Sequence, residues 1–163
     1  MPPNGGNILV KVIGKIPIFK GLHPLQVKRM LRIAVHKTYK PGFQLCVNDT
    51  PSDSMFILVT GELVVVTGDG TQVATIFPVA IVGEMGVITG ERRSATVEVS
   101  RPSHIFVIAK RNFDYYLSED AEVRATIYKN IIDALSAKLD NSNKRLSDLQ
   151  KELANGPRDL AAT

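Results

Sequence analysis

A chain of 163 residues with 44% hydrophobic content is long enough to bury a core in one domain, and it carries no low-complexity tract. Its longest apolar runs, such as Met55 to Val59 and Leu63 to Val66, are strand-sized and far short of a bilayer-spanning helix. The net charge of +4 is spread unevenly: residues 1 to 48 hold eight Lys or Arg and no acid, which leaves the remainder net acidic.

At the N-terminus, Met-Pro-Pro-Asn-Gly-Gly shows no charged region followed by an apolar one, so nothing marks the chain for export. The lone Cys46 cannot form an internal disulfide and sits in an apolar, strand-like run, and a cytoplasmic location is expected. The basic stretch, Lys11, Lys15, Lys20, Lys28, Arg29, Arg32, Lys37 and Lys40, reads as a docking face for an acidic partner, a membrane surface or nucleic acid, or else as a solvated helix face. The second reading is preferred, and nothing there resembles an aromatic-interleaved nucleic-acid platform. After a disordered-looking start, His23-Pro24 opens a helix, with proline at an early position where its missing N–H costs nothing. Leu22, Val27, Met30, Leu31 and Ala34 recur at helical spacing, so this helix packs on a core with its basic residues toward water.

From Thr38 to Ala109 the texture changes to short β-branched and aromatic runs parted by turn residues. Pro41-Gly42, Asn48-Asp49-Thr50-Pro51, Thr60-Gly61, Gly68-Asp69-Gly70 and Arg101-Pro102 are the expected turns. The runs between them predict an antiparallel, jelly-roll-like β-roll of about eight strands, in an α+β chain that is mainly β.

Gly83 to Val97 reads Gly-Glu-Met-Gly-Val-Ile-Thr-Gly-Glu-Arg-Arg-Ser-Ala-Thr-Val, and its parts suit a small anion. An apolar run passes through Gly83 and Glu84 into a short helical turn whose first N–H groups lack intrahelical partners. Gly83 and Gly86 lack a Cβ and let a ligand approach the main chain. Arg93 supplies a planar fork that matches phosphate oxygens in pairs, and it is preferred over Arg92 because it directly precedes Ser94-Ala95.

The string Gly83, Glu84, Met85, Gly86, Val87, then Arg93, Ser94, Ala95, Thr96, Val97, resembles the phosphate-binding cassette of the cyclic-nucleotide-binding domain family. That family includes the catabolite activator protein and protein kinase A regulatory subunits. Tyr39-Lys40-Pro41-Gly42 and Asp53 to Glu62 resemble its early strands. The resemblance implies that Arg93 binds the cyclic phosphate and Glu84 the ribose 2′-hydroxyl. The ligand-binding set is then Gly83, Glu84, Met85, Gly86, Arg93, Ser94 and Ala95, with cyclic AMP or cyclic GMP as the ligand and cyclic AMP favoured. Two departures stand out: Asn48-Asp49 and Ser52 replace a Gly-Asp and a second Gly, and Pro78-Val79-Ala80-Ile81-Val82 replaces Pro-Gly-Asp and an aromatic.

Beyond Lys110 the pattern is helical again, with an acidic start at Ser118, Glu119, Asp120 and Glu122 and a stop at Asn155-Gly156-Pro157. Ile132, Leu139, Leu146 and Leu153 fall at one heptad position and Leu135, Ser142 and Leu149 at the other. This predicts a homodimer through the C-terminal helix, the alternative being an amphipathic helix lying on its own roll. The resemblance also implies that a hydroxyl or amide on this helix reaches the base, which points to Ser142 and Asn143; a polar residue in a seam also serves to fix register.

One domain over 1–163 is expected: an N-terminal helical segment (1–37), the β-roll (38–109) holding the cassette (83–97), C-terminal helices (110–155) and a tail (156–163). His23, His36 and His104 have no second ligand at metal spacing, and no nucleophile-base motif is present, so neither a metal nor an enzyme is expected. The chain reads as a cyclic-nucleotide receptor acting on an effector that the sequence does not identify, with no direct DNA binding. Its rivals are a ligand-free dimerisation scaffold and the sensor part of a transcription regulator.

Overall fold

In a computed structural model that describes residues 5–154, the chain begins with helix α1 (Gly5–Ile13), a 3-10 turn (Pro17–Phe19) and helix α2 (Pro24–Arg32). Helix α1 falls in the N-terminal helical segment expected over 1–37, ahead of the helix that His23-Pro24 opens: Val10 and Ile13, three apart on one face, are both buried. His23 caps α2 as its position before Pro24 suggests. Its ring nitrogen accepts from the Leu25 N–H at 3.3 Å, and the Gln26 side chain accepts the His23 N–H at 2.8 Å. Val27 and Met30 face the core, and all eight basic residues of the N-terminal stretch are exposed.

Six strands follow: β1 (Val35–Tyr39), β2 (Gln44–Cys46), β3 (Ser54–Val66), β4 (Gln72–Ile76), β5 (Ala80–Val82) and β6 (Thr96–Ala109). All pairings are antiparallel, in the order β1-β6-β3-β4, with β2 added on β6 and β5 on β3. The count falls below eight because Thr60-Gly61 and Arg101-Pro102 are not turns. They face each other inside one long β3·β6 pair, where the register shifts around Thr60 and Glu62. Gly61 adopts φ 103°, and a Cβ there would run into Ser103 and the Pro102 carbonyl. The fully buried Ser103 hydroxyl accepts from the Glu62 N–H at 3.2 Å and donates to the Arg101 carbonyl at 2.7 Å. The punctuation residues thus make a bend in a continuous ladder. Helices hold more of the described residues than strands do, so the expected weighting toward β holds for the middle of the chain and not for the whole.

Successive residues of β3 point into two cores. Met55 and Ile57 join Phe19, Met30, Phe113 and Ile127 between the sheet and the helices. Phe56 and Leu58 join Leu63, Val97, Val99 and Ile105 inside the roll. Burial on both faces explains why β3 reads as an unbroken apolar run.

Helix α4 (Lys110–Glu119) and helix α5 (Ala121–Ala154) meet at Asp120, whose carboxylate accepts the Glu122 and Val123 N–H groups, both at 3.1 Å. The α5 cap is therefore Asp120, while Ser118 bonds back to the Tyr115 carbonyl within α4. Val123, Ile127 and Ile131 bury the first part of α5, and the Asn130 amide donates to the carbonyls of Ile18 (3.1 Å) and Lys20 (2.7 Å). Thereafter Ile132, Leu135, Leu139, Leu146, Leu149 and Leu153 are all exposed, so the alternative of a helix lying along its own roll is not what the fold adopts. The stop expected at Asn155-Gly156-Pro157 lies outside the described residues. Among the described residues no helix is long and apolar enough to cross a membrane.

Candidate functional site

Strand β5 leads the chain into the site. Its register on β3, Phe56 opposite Val82 and Leu58 opposite Ala80, fixes the approach to Gly83 despite the unusual residues before it. Gly83 then turns the backbone at φ 78°, a left-handed conformation that a side chain disfavours, and helix α3 (Glu84–Thr89) starts. A second left-handed glycine, Gly90 (φ 77°), ends it, and the chain returns through Arg92-Arg93 into β6.

Arg93 enters this fold as a nearly buried cation, 6% exposed. Its guanidinium donates to the Gly83 carbonyl at 3.1 Å and the Ser54 carbonyl at 2.5 Å. It lies 3.7 Å from the exposed Asp53 carboxylate and 5.8 Å from the Phe56 ring centroid. A Cβ on Gly83 would collide with the same guanidinium, so glycine is required there twice over. Arg92 is held differently: it pairs with the Asp49 carboxylate at 2.7 Å, and also reaches the Asp49 carbonyl, with 60% of its side chain exposed.

These residues surround a pocket of about 430 Å³. Gly83, Glu84, Met85, Gly86, Arg93, Ser94 and Ala95, the expected cassette positions, all line it. The apolar wall comes from Val65, Ile76, Val82 and Val97 together with Cys46, whose thiol is pushed up by burial against the opposing pull of Arg93. Ser52 also lines the pocket, and a Cβ on Gly86 would run into its hydroxyl.

A family model for the cyclic nucleotide-binding domain matches residues 36–120, which takes in the sheet but for Val35, the pocket and α4. The chain belongs to the cyclic nucleotide-binding domain family.

Among its relatives, a cyclic nucleotide-gated potassium channel of Mesorhizobium japonicum is 27% identical over 127 residues, covering 78% of this chain and 35% of the channel. The cyclic nucleotide-gated channel alpha-4 of Mus musculus is 25% identical over 128 residues, covering 74% of this chain and 22% of that protein. The chain thus spans about a third or less of the length of these curated relatives. Among solved structures, a cyclic nucleotide-binding domain from Methylobacillus flagellatus superimposes with a TM-score of 0.73 at 22% identity, over 88% of this chain and 83% of that one. The Thermus thermophilus catabolite activator protein gives 0.70 at 18% identity, over 86% and 72%. These two likenesses establish the fold.

Two of the expected ligand residues are not brought to the pocket of this cyclic nucleotide-binding domain. Ser142 and Asn143 are exposed on α5 and do not line it. On α5, Ile131, Ala134 and Leu135 line a small crevice with Glu84, Met85 and Ile18. Ser142 stands about two helical turns, or about 10 Å, past Leu135. The docking contacts of α5 stop before that turn, so within one chain in this conformation the expected base contact is not made. Ser52, Asp53 and Ser54, by contrast, belong to the site and were not expected there. The only signal for them was Ser52 standing where the family has glycine.

Proposed function

We propose that the chain is a cyclic-nucleotide receptor, a regulatory module and not an enzyme, folded as one domain in the cytoplasm. The observation that carries this is the fixed cation at Arg93, nearly buried at the edge of a pocket large enough for a nucleotide and lined by Glu84 and the main chain at Gly83 and Gly86. In this reading the Arg93 guanidinium and the cassette N–H groups neutralise the cyclic phosphate while Glu84 accepts the ribose 2′-hydroxyl. Glu84 and Glu91 have no nucleophile beside them and would repel a cyclic phosphate sooner than cleave it. Ser94 offers its hydroxyl to the phosphate or to a purine turned over the ribose, which suits cyclic AMP and cyclic GMP, with cyclic AMP favoured.

Signalling runs through α5, whose docked part lines a small crevice with Glu84 and Met85 of the cassette. Ligand entry shifts the helix among its positions and so alters the surface offered to an effector, without direct DNA contact. Ser142 and Asn143 reach the base when the helix closes or when a second copy supplies them. The exposed heptad residues of α5 support pairing with that second copy.

One observation favours a ligand-free scaffold instead. Arg93 already has two carbonyl partners and the Asp53 carboxylate at 3.7 Å, so its burial is tolerable without a bound nucleotide. Calorimetric titration with cyclic AMP and cyclic GMP separately, paired with melting curves, decides between the readings. Saturation at a hundred times the dissociation constant adds about 2.7 kcal/mol of stability. Heat and a melting shift with either nucleotide are expected, and their absence with both leaves the scaffold.

A further inference from the structure

Among the described residues, two buried side-chain polar atoms have no hydrogen-bond partner: Ser52 Oγ and Arg93 Nε. Both residues line the same pocket. Ser52 is not part of the cassette; it stands just before β3, with 9% of its surface exposed, and its hydroxyl lies against the Cα of Gly86. Glycine at 86 leaves room for that hydroxyl where any side chain would displace it. An unpaired hydroxyl in such a place is destabilising relative to a methyl group or a hydrogen.

We propose that Ser52 is a phosphate-site residue supplied from outside the cassette. When a nucleotide enters, the first turn of α3 moves off Ser52, and the hydroxyl donates to a phosphate oxygen beside the Nε–H of Arg93. Both orphaned atoms have a proton to give. A cyclic phosphate presents only acceptors on its free oxygens, whereas a purine edge mixes donors with acceptors, so the phosphate is the better match. The proposal rests on the receptor reading above and adds to it a residue that a cassette motif does not contain.

Ser52→Ala and Ser52→Gly are to be titrated with cyclic AMP and with cyclic GMP beside the native protein, with ligand-free melting curves for all three. Loss of a hydrogen bond to a charged group predicts affinity about tenfold weaker, by the same factor for both nucleotides. The ligand-free melting temperature of Ser52→Ala stays level or rises, because the orphaned hydroxyl is gone. The ³¹P resonance of bound cyclic AMP shifts between the native protein and Ser52→Ala. Native affinity in both variants overturns the proposal, as does a loss confined to one base. A fall in ligand-free melting temperature that accompanies the affinity loss, with an unmoved ³¹P resonance, assigns Ser52 a packing role and also overturns it. If the native protein binds neither nucleotide, the receptor reading itself fails and takes this assignment with it.

Discussion

Arg92 and Arg93 are neighbours in sequence and opposites in setting. Arg93 has a side chain 4% exposed and donates to two main-chain carbonyls, whereas Arg92 sits in a solvated pair with Asp49. A charge-assisted bond inside the pocket contributes about 1.5–3 kcal/mol, while an exposed ion pair contributes about 0–1 kcal/mol. Arg93→Ala therefore weakens cyclic-nucleotide binding at least about tenfold and Arg92→Ala by no more than about fivefold, measured by titration calorimetry. Equal losses would reverse the assignment. The cassette was legible because its logic is local: Gly83 needs φ 78°, Gly90 φ 77°, and Arg93 follows at fixed spacing on the way into a strand. Asp53 and the Ser54 carbonyl, which hold Arg93, come from the distant start of β3 and the residue before it, and no periodicity within either segment announces that they meet.

At the level of elements, α4 is fastened by Tyr116, whose hydroxyl donates to the Gln26 carbonyl of α2 at 2.8 Å. Burial pushes its phenol up to about 12, a shift that Arg29 opposes and Asp120 reinforces. The unfolded chain releases this proton near pH 10 and the folded protein only near pH 12, so the unfolded state holds fewer protons across that interval. The stability tied to Tyr116 is complete below about pH 10 and drains away as pH rises through 12. Tyr116→Phe is expected to be about 1 kcal/mol less stable at neutral pH from loss of the hydrogen bond. Its denaturation midpoint then declines less than that of the native protein from pH 10 to 12, and parallel declines would refute the linkage. Element boundaries were less legible than the elements themselves. Thr60-Gly61 and Arg101-Pro102 carry ordinary turn chemistry, and only their mutual pairing through Ser103 turns two expected corners into one bend. Helix α1 was hidden by its leading glycines, since its burial depends on helix α2 and the core they share.

The molecule as a whole is a roll with a projecting helix. Leu139, Leu146 and Leu149 are each more than half exposed and lie on one heptad seam, which a second α5 would cover. Sedimentation equilibrium is expected to show a dimer, and the double substitution Leu139→Asp with Leu146→Asp a monomer. The melting of the roll changes little in that variant, because neither leucine belongs to either core. A monomeric native protein would remove the basis for this pairing. Heptad spacing made the seam legible in advance, but not the point at which α5 leaves its own roll. That point is set by Ile131 and by the two carbonyls that Asn130 grips.

That departure point has a mechanical consequence. At about 1.5 Å per residue, α5 is roughly 50 Å long, and the part beyond Leu135 overhangs by roughly 30 Å. A tilt of about 10° about Ile131 would swing the far end by roughly 6 Å while atoms beside Met85 would move by only a fraction of that. If α5 moves as proposed, the overhang would serve as a pointer arm that magnifies a small displacement beside Met85.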